Sequence, residues 1–161
     1  MDAIQLLTDQ HRLLEEQFDA AVAASDPRER VALAAEAGDH LAVHVAAEED
    51  VFYPAVKARR TEDILLESLE EHLSLKRLLS DLLDLPADDS TYEAKLKVLR
   101  EQAEHHHREE EEHLFPQVRK CLDAAELEAL GRDMLGRQKQ MMREGQPRES
   151  MAEQTDRAAA L

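Results

Sequence analysis

Apolar residues recur every three or four positions along most of the chain, the spacing expected of helices with one buried face. The pattern is interrupted at residues 25–27 and 85–90, and prolines follow the second and fourth apolar stretches. It predicts an all-α protein with three parts. These are an antiparallel up-down-up-down four-helix bundle over residues 1–122, an additional amphipathic helix over residues 123–145 and a disordered tail over residues 146–161.

Residues that favour helix starts stand in front of each apolar stretch. Asp2 and Thr61 are the predicted N-caps of the first and third helices. The other three starts carry the residues of a capping box, in which the N-cap and a Glu bond each other's backbone amides. These boxes are Asp26 with Glu29, Ser90 with Glu93 and Asp123 with Glu126. Gly145 is expected to end the fifth helix, and Pro54 to kink or end the second.

Segments 44–54 and 106–116 follow one pattern: a His, a Glu four residues later, and a Pro ten residues after the His. A single His precedes each segment, His11 by 33 residues in the first half and His72 by 34 in the second. Residues four apart lie on one face of a helix. Each half of the chain is therefore predicted to supply one His, and then a His–Glu pair, from two neighbouring helices.

The six residues of this repeat fall on the apolar stripes of their helices. A lone His on such a stripe is commonly a hydrogen-bonded core residue, but a Glu is rarely buried unless it is paired or bound to a metal. The helix rise places the four His at similar depths, within about two turns of one another. The candidate metal ligands are His11, His44, Glu48, His72, His106 and Glu110.

The donor types narrow the choice of metal. Imidazole nitrogen and carboxylate oxygen without thiolate suit iron, manganese or zinc, and six ligands exceed the about four that zinc takes. Two six-coordinate metals would use four imidazoles, two bridging carboxylates and a bridging oxide or hydroxide, with up to about two positions left open. The sequence thus predicts two irons per chain, oxo- or hydroxo-bridged, that accept a small molecule.

Composition and charge limit the other functions. The chain of 161 residues has 35% charged and 3% aromatic residues, which is typical of a helical protein and unusual for a β-fold. A formal net charge of −16 argues against binding nucleic acid or an anionic membrane. The sequence has no apolar run of about 20 residues, no basic start and a single cysteine, Cys121. We therefore expect a cytoplasmic protein, monomeric or homodimeric.

The ligand pattern resembles that of the bacterial hemerythrin-like (HHE cation-binding) domain, over residues 1 to about 120. The resemblance implies iron ligation by the six residues above, with Glu48 and Glu110 bridging. It also implies chemistry with dioxygen, peroxide or nitric oxide, as a sensor or scavenger, and leaves open whether the protein is an enzyme that slowly consumes peroxide or nitric oxide. Oxygen carriers have a second His four residues from the first on the third helix. Here Ser68 and Lys76 flank His72, which argues against a reversible oxygen carrier.

The fourth helix leaves a choice of register, because His105, His106 and His107 each have a Glu four residues later. Only His106 continues the apolar stripe, so His105 and His107 are expected to be solvated. The glutamates next to the candidate ligands, Glu49 and Glu109, are expected to be surface residues.

Two further residues and two other function classes stay open. His113 is a candidate outer-sphere group or extra ligand, and Tyr53 could line the pocket, although the helical count places it off the stripe. The first alternative function is a metal-storing or structural bundle that is closed to small molecules. The second is a four-helix phosphotransfer module that uses His72, which would need that side chain to be exposed.

Overall fold

The structure is a computed structural model that describes residues 1–57 and 61–161. Every regular element in this part of the chain is helical, so the all-α prediction is confirmed there. The eight α-helices are α1 (Ala3–Ala23), α2 (Pro27–Ala47), α3 (Tyr53–Lys57), α4 (Glu62–Asp84), α5 (Tyr92–Glu109), α6 (Phe115–Cys121), α7 (Ala124–Glu144) and α8 (Pro147–Ala152). None of the helices in the described ranges has the length and apolar character that crossing a membrane requires.

Two predicted helix starts are confirmed in their hydrogen bonds. The Asp2 side chain accepts from the amide of Gln5, and Asp123 and Glu126 form the reciprocal capping box. The predicted box at Ser90 is wrong. Helix α5 begins after Thr91, whose amide and hydroxyl both donate to Asp89, and no side chain caps the helix.

Thr61, the predicted N-cap of the third helix, also differs from the expectation. Thr61 stands at the N-cap position of α4, but its hydroxyl donates to the carbonyl of Val56 rather than accepting from the helix. The hydroxyl therefore ties the start of α4 to α3. Asp26 caps α2 as predicted, with Pro27 in the first turn, but it accepts from the amide of Arg28 and not of Glu29, so the predicted capping box is wrong.

A π-helix stands at the same place in each half of the chain. The segment π1 (Glu48–Phe52) joins α2 to α3, and π2 (Glu110–Leu114) joins α5 to α6. Each segment ends just before the dipeptide that contains Pro54 or Pro116. A proline lacks an amide hydrogen and crowds the carbonyl four residues before it, and a π-turn relieves this crowding. The second predicted helix is therefore interrupted before Pro54: α2 ends at Ala47, π1 follows, and α3 continues to Lys57.

The long helices pack so that their polar stripe residues meet at one level. Helix α1 packs against α2 and α5, α4 packs against α5, and α7 covers α1 and α2. Buried apolar side chains form two clusters, one containing Leu14 and Leu75 and the other containing Leu7 and Leu69. Along α1 and α4, the candidate ligands stand between members of the two clusters. The site therefore lies inside the protein, with an apolar core on either side of it.

The prediction of a disordered tail is wrong for residues 147–152. Helix α8 packs there against α2 and α4, and the side chain of Met151 is 2% exposed within the first apolar cluster. Arg148 fixes the same helix by donating to the carboxylate of Asp39 and the carbonyl of Ala35. The apolar stretch Met151–Ala152 is too short for a periodicity argument to detect.

Candidate metal centre

Six helical segments bring the candidate ligands together. His11 lies on α1, His44 on α2, His72 on α4 and His106 on α5, whereas Glu48 and Glu110 are the first residues of π1 and π2. Each of the six is at most 1% exposed. The residues that the sequence singled out are thus buried and adjacent, although they come from both halves of the chain.

The nitrogen and oxygen atoms of the candidate ligands form two groups that share Glu48. In the first group, His44 Nε2 lies 3.2 Å from Glu48 Oε1, and His11 Nε2 lies 3.5 Å from Glu110 Oε1. In the second, His72 Nε2 lies 3.1 Å from Glu48 Oε2 and 3.0 Å from His106 Nε2. Glu48 therefore turns one oxygen towards each group, which is the arrangement of a bridging carboxylate.

Glu110 also contacts both groups, but through a single oxygen. Its Oε1 lies 3.5 Å from His11 Nε2 and 3.3 Å from His106 Nε2. Its other oxygen, Oε2, accepts a hydrogen bond of 2.9 Å from the hydroxyl of Tyr53. The two acids thus stand on the boundary between the groups.

These atoms fit a metal centre better than a hydrogen-bonded core. Buried polar atoms normally have hydrogen-bond partners, yet His11 Nε2, His44 Nε2, both oxygens of Glu48 and Glu110 Oε1 have none among the described residues. Two ligands of one octahedral metal, each about 2.1 Å from it and at a right angle, lie about 3 Å apart. The observed separations of 3.0–3.5 Å are close to that spacing.

Each of the four histidines is oriented by an acceptor on its other ring nitrogen. His11 Nδ1 lies 2.8 Å from Glu111 Oε1, and His72 Nδ1 lies 2.9 Å from Glu49 Oε2. In both cases the acceptor is the residue that follows a shared acid. An imidazole that donates from Nδ1 has its Nε2 lone pair free for a metal, and carboxylate acceptors of this kind fix ring orientation and raise ligand basicity.

The acceptors of the other two histidines are the residues that come directly before His11 and His72 in the sequence. His44 Nδ1 lies 2.9 Å from the side-chain oxygen of Gln10, and His106 Nδ1 lies 3.0 Å from Glu71 Oε1. The repeat in the sequence is therefore also a repeat in the surrounding hydrogen bonds. It differs at one acceptor, which is an amide in the first half and a carboxylate in the second.

The expectation that Glu49 is a surface residue is wrong. Its side chain is 8% exposed, and its second oxygen accepts a 2.8 Å hydrogen bond from the ammonium group of Lys76, which is 1% exposed. Burial raises the pKa of Glu49, but the hydrogen bonds and charges of His72 and Lys76 outweigh this and hold it below the usual value. Lys76, four residues after His72, therefore neutralises Glu49.

The electrostatics of the two shared acids favour a cation. Burial raises the pKa of Glu48, but its electrostatic interactions with His44, His106 and His72 hold the pKa well below its usual value. Burial and the charge of Glu48 likewise raise the pKa of Glu110, and interactions with His106 and His11 outweigh them. Both acids are therefore ionised in the interior, and their negative charge is available to a metal.

Tyr53 faces the cluster, contrary to the count that placed it off the stripe. The side chain is fully buried, its ring stacks against His72, and its hydroxyl lies 3.3 Å from His72 Nε2. The π-turn that begins at Glu48 adds a residue to the helical turn, so a count of 3.6 residues per turn fails beyond it. Burial and the charges of Glu110 and Glu48 raise the pKa of Tyr53 well above its ordinary value, so its hydroxyl stays a donor.

His107 is a buried residue that the sequence interpretation missed. It was expected to be solvated, but it is 5% exposed and its ring stacks on that of His11 with 4.0 Å between centroids. Burial and the neighbouring His11 and His44 lower the pKa of His107 well below its usual value, so the ring is neutral. The spacing of Ala103, His106 and His107 is that of one helical face, a signal that was present in the sequence.

The other histidines lie outside the cluster. His105 and His113 have side chains that are 59% and 58% exposed, so the solvated position predicted for His105 is confirmed. The possible role of His113 as a ligand is excluded by its contacts, which are with Glu109 and Glu112 at the surface. His40 bonds Gln17 at the edge of the core.

The phosphotransfer alternative conflicts with the position of His72. Phosphorylation needs a ring nitrogen that is open to a partner protein, but His72 is fully buried, with its Nδ1 on Glu49 and its Nε2 facing Glu48. This alternative is therefore wrong.

Comparisons with known proteins agree with the site. The sequence profile of the Hemerythrin HHE cation binding domain matches residues 2–118. A crystal structure of a Hemerythrin HHE cation binding domain-containing protein from Mycobacterium kansasii is similar, with 28% sequence identity and a TM-score of 0.75 over 93% of this chain and 89% of that chain. A search of curated proteins gave no significant match. Because the profile covers most of the chain, the chain belongs to the hemerythrin HHE cation-binding family.

Proposed function

We propose that this protein holds two iron ions in one bridged centre and that the centre binds or reacts with a small oxidant. The observation that carries the proposal is the arrangement of buried His and Glu atoms in two groups around Glu48. Among the described residues, five of these atoms have no hydrogen-bond partner: His11 Nε2, His44 Nε2, both oxygens of Glu48 and Glu110 Oε1. The proposed ligands are His11, His44, Glu48, His72, His106 and Glu110, with an oxide or hydroxide as a further bridge. Iron held there would supply redox chemistry and coordination positions for the oxidant.

The protein's own residues support this chemistry in three ways. The acceptors on the Nδ1 atoms hold the imidazoles in a fixed orientation, so little rearrangement accompanies metal binding. The ionised Glu48 and Glu110 supply two negative charges that partly balance the metal charge. Tyr53 fixes one oxygen of Glu110 by its hydrogen bond, and the apolar clusters exclude bulk water.

The small molecule we propose is dioxygen, peroxide or nitric oxide, and the protein acts as a sensor or scavenger of it. These ligands are small and uncharged or weakly acidic, which suits a centre enclosed between two apolar clusters. We further propose an up-down-up-down order for the four long helices and a cytoplasmic location as monomer or homodimer. The location agrees with the use of a single cysteine.

Metal storage, with no access for an oxidant, is the second candidate. The observation in its favour is the deep burial of all six proposed ligands. The two functions differ in reactivity: a storage site would hold iron without changing its spectrum on exposure to an oxidant.

A metal assay with optical spectroscopy tests the proposal. Protein from iron-replete cells should contain about two irons per chain and show oxo-to-iron absorption, because shared carboxylates hold the two ions together. The reduced protein, mixed in turn with air, peroxide and nitric oxide, should change its spectrum with at least one of them. A single tightly held zinc would refute the iron proposal. Two irons that respond to none of the three reagents would favour storage.

A further inference from the structure

We propose that His107 is a fifth histidine ligand, which gives the first metal position three imidazoles and the second position two. The inference rests on the proposed function, because it adds a ligand to the same centre. The family's six-residue ligand pattern does not include His107, because His106 and Glu110 alone supply the pattern on this helix.

The position of the His107 ring supports ligation. One ring nitrogen each from His107, His11 and His44 lies within 4.8 Å of the others, close enough for one ion to bind all three. The ring of His107 is parallel to that of His11 and edge-on to that of His44, with centroids 4.0 and 5.2 Å apart. His106 and His107 thus point to different metal positions, although they are adjacent on α5.

The alternative, that His107 only fills space, leaves two observations unexplained. Its Nε2 is buried and has no hydrogen-bond partner among the described residues, in common with Nε2 of His11 and His44. The equivalent position in the first half of the chain, one residue after His44, is Val45, which is 2% exposed in the apolar core. An apolar side chain therefore fits this place in the repeat, and a His with an unpartnered nitrogen needs another reason.

A fifth imidazole determines which of the two metal ions would have a free coordination position. With three imidazoles on the first ion and two on the second, the free coordination position would fall to the ion held by His72 and His106. That ion would lie near the hydroxyl of Tyr53, which is 3.3 Å from His72 Nε2. On the first side, His107 separates the centre from a surface cavity of about 340 Å³ that is also lined by Arg12, Arg108 and Glu111.

The test compares His107→Val, which copies the residue of the other half, with His105→Val on the same helix. His105 is exposed, so its loss should leave metal binding unchanged. For the folded His107→Val protein we expect one of the two ferrous ions to bind at least about 100-fold more weakly, because loss of an outer partner alone costs about 10–100-fold. Circular dichroism checks the fold, and competition with a chelator measures the affinities.

Added imidazole extends the test in the His107→Gly variant. Because the cavity opens onto this position, imidazole should enter it and restore binding of the ion at the first position. A His107→Val protein that is folded and keeps both ions with wild-type affinity and spectrum would overturn the assignment, while leaving the proposed di-iron centre intact. A wild-type chain that binds fewer than two ions would instead contradict the proposed function.

A crystal structure of the iron-loaded wild-type chain tests the same assignment without a substitution, should the variants fail to fold. His107 Nε2 within about 2.3 Å of an iron supports it, and a separation beyond about 3 Å overturns it.

Discussion

Glu49→Ala should damage both the fold and the metal centre, and the structure gives a separate magnitude for each effect. Glu49 is the ion-pair partner of the buried Lys76 and the acceptor for His72 Nδ1. Removal of one member of a buried ion pair costs about 3–5 kcal/mol, because the other charge stays buried without a partner. Loss of the acceptor on a metal-binding histidine weakens metal binding by about 10–100-fold.

Glu111→Ala is the matched control for the loss of folding stability. Glu111 accepts from His11 Nδ1 just as Glu49 accepts from His72, so the loss of metal affinity should be similar. Its other partner is Arg12, whose side chain is 55% exposed. Because an exposed pair is worth at most about 1 kcal/mol, the free energy of unfolding should fall much less than in Glu49→Ala.

Urea denaturation with chelator present measures the ion-pair effect, and competition for ferrous iron measures the effect on the centre. The double variant Glu49→Ala/Lys76→Met removes the unpaired charge, so it should recover most of the lost stability and none of the lost metal affinity. Equal losses of unfolding free energy in Glu49→Ala and Glu111→Ala would refute the reasoning. So would a double variant that is no more stable than Glu49→Ala alone.

Three further predictions concern single side chains. Tyr53→Phe should cost about 1–3 kcal/mol in thermal denaturation, since it leaves a buried oxygen of Glu110 without its donor; an unchanged melting temperature would contradict this. Glu48→Ala and Glu110→Ala should each lose at least one metal ion, as measured by elemental analysis. Glu109 is partly exposed, so Glu109→Ala should keep both metal ions and change the free energy of unfolding by no more than about 0.5 kcal/mol. The opposite result for Glu109 and Glu110 would shift the register of α5 by one residue. Met151→Ala should destabilise the fold by about 2–5 kcal/mol and the half-exposed Met142→Ala by less than about 0.5 kcal/mol; equal effects would indicate that α8 is not packed in solution.

Much of the fold and of the candidate site could be predicted because both depend on the regular geometry of an α-helix. A count of 3.6 residues per turn places His44 and Glu48 on one face, and the same count applied to each half identifies the other stripe residues. The repeat then indicates that these residues meet, since chance rarely places acids at equivalent points of two apolar stripes. The burial of Glu48 and Glu110 follows the same count.

The residues that the sequence interpretation placed wrongly lie where that geometry changes or where another element is needed. Tyr53 follows a π-turn, which shifts the register that the count assumes. Glu49 was assigned to the surface because its neighbour Glu48 faces the core, but His72 and Lys76 of α4 cover it. Contacts of this kind depend on how helices pack, and one helix's periodicity does not contain them. His107 differs, because its helical spacing from Ala103 was visible and was outweighed by the clearer match of His106.

The substitution on α4 that argues against an oxygen carrier has a different meaning in the folded chain. Lys76 flanks His72, but its ammonium group pairs with Glu49 and it belongs to neither group of candidate ligands. With the proposed His107 ligand the chain would have a fifth imidazole, so the lack of a second histidine on α4 would no longer argue against a carrier. Under the proposed function, the difference would lie around the ion held by His72 and His106. There the hydroxyl of Tyr53 lies 3.3 Å from His72 Nε2 and donates to Glu110. The release or consumption of a bound oxidant would then be determined at that ion, and the Tyr53→Phe variant changes that side chain alone.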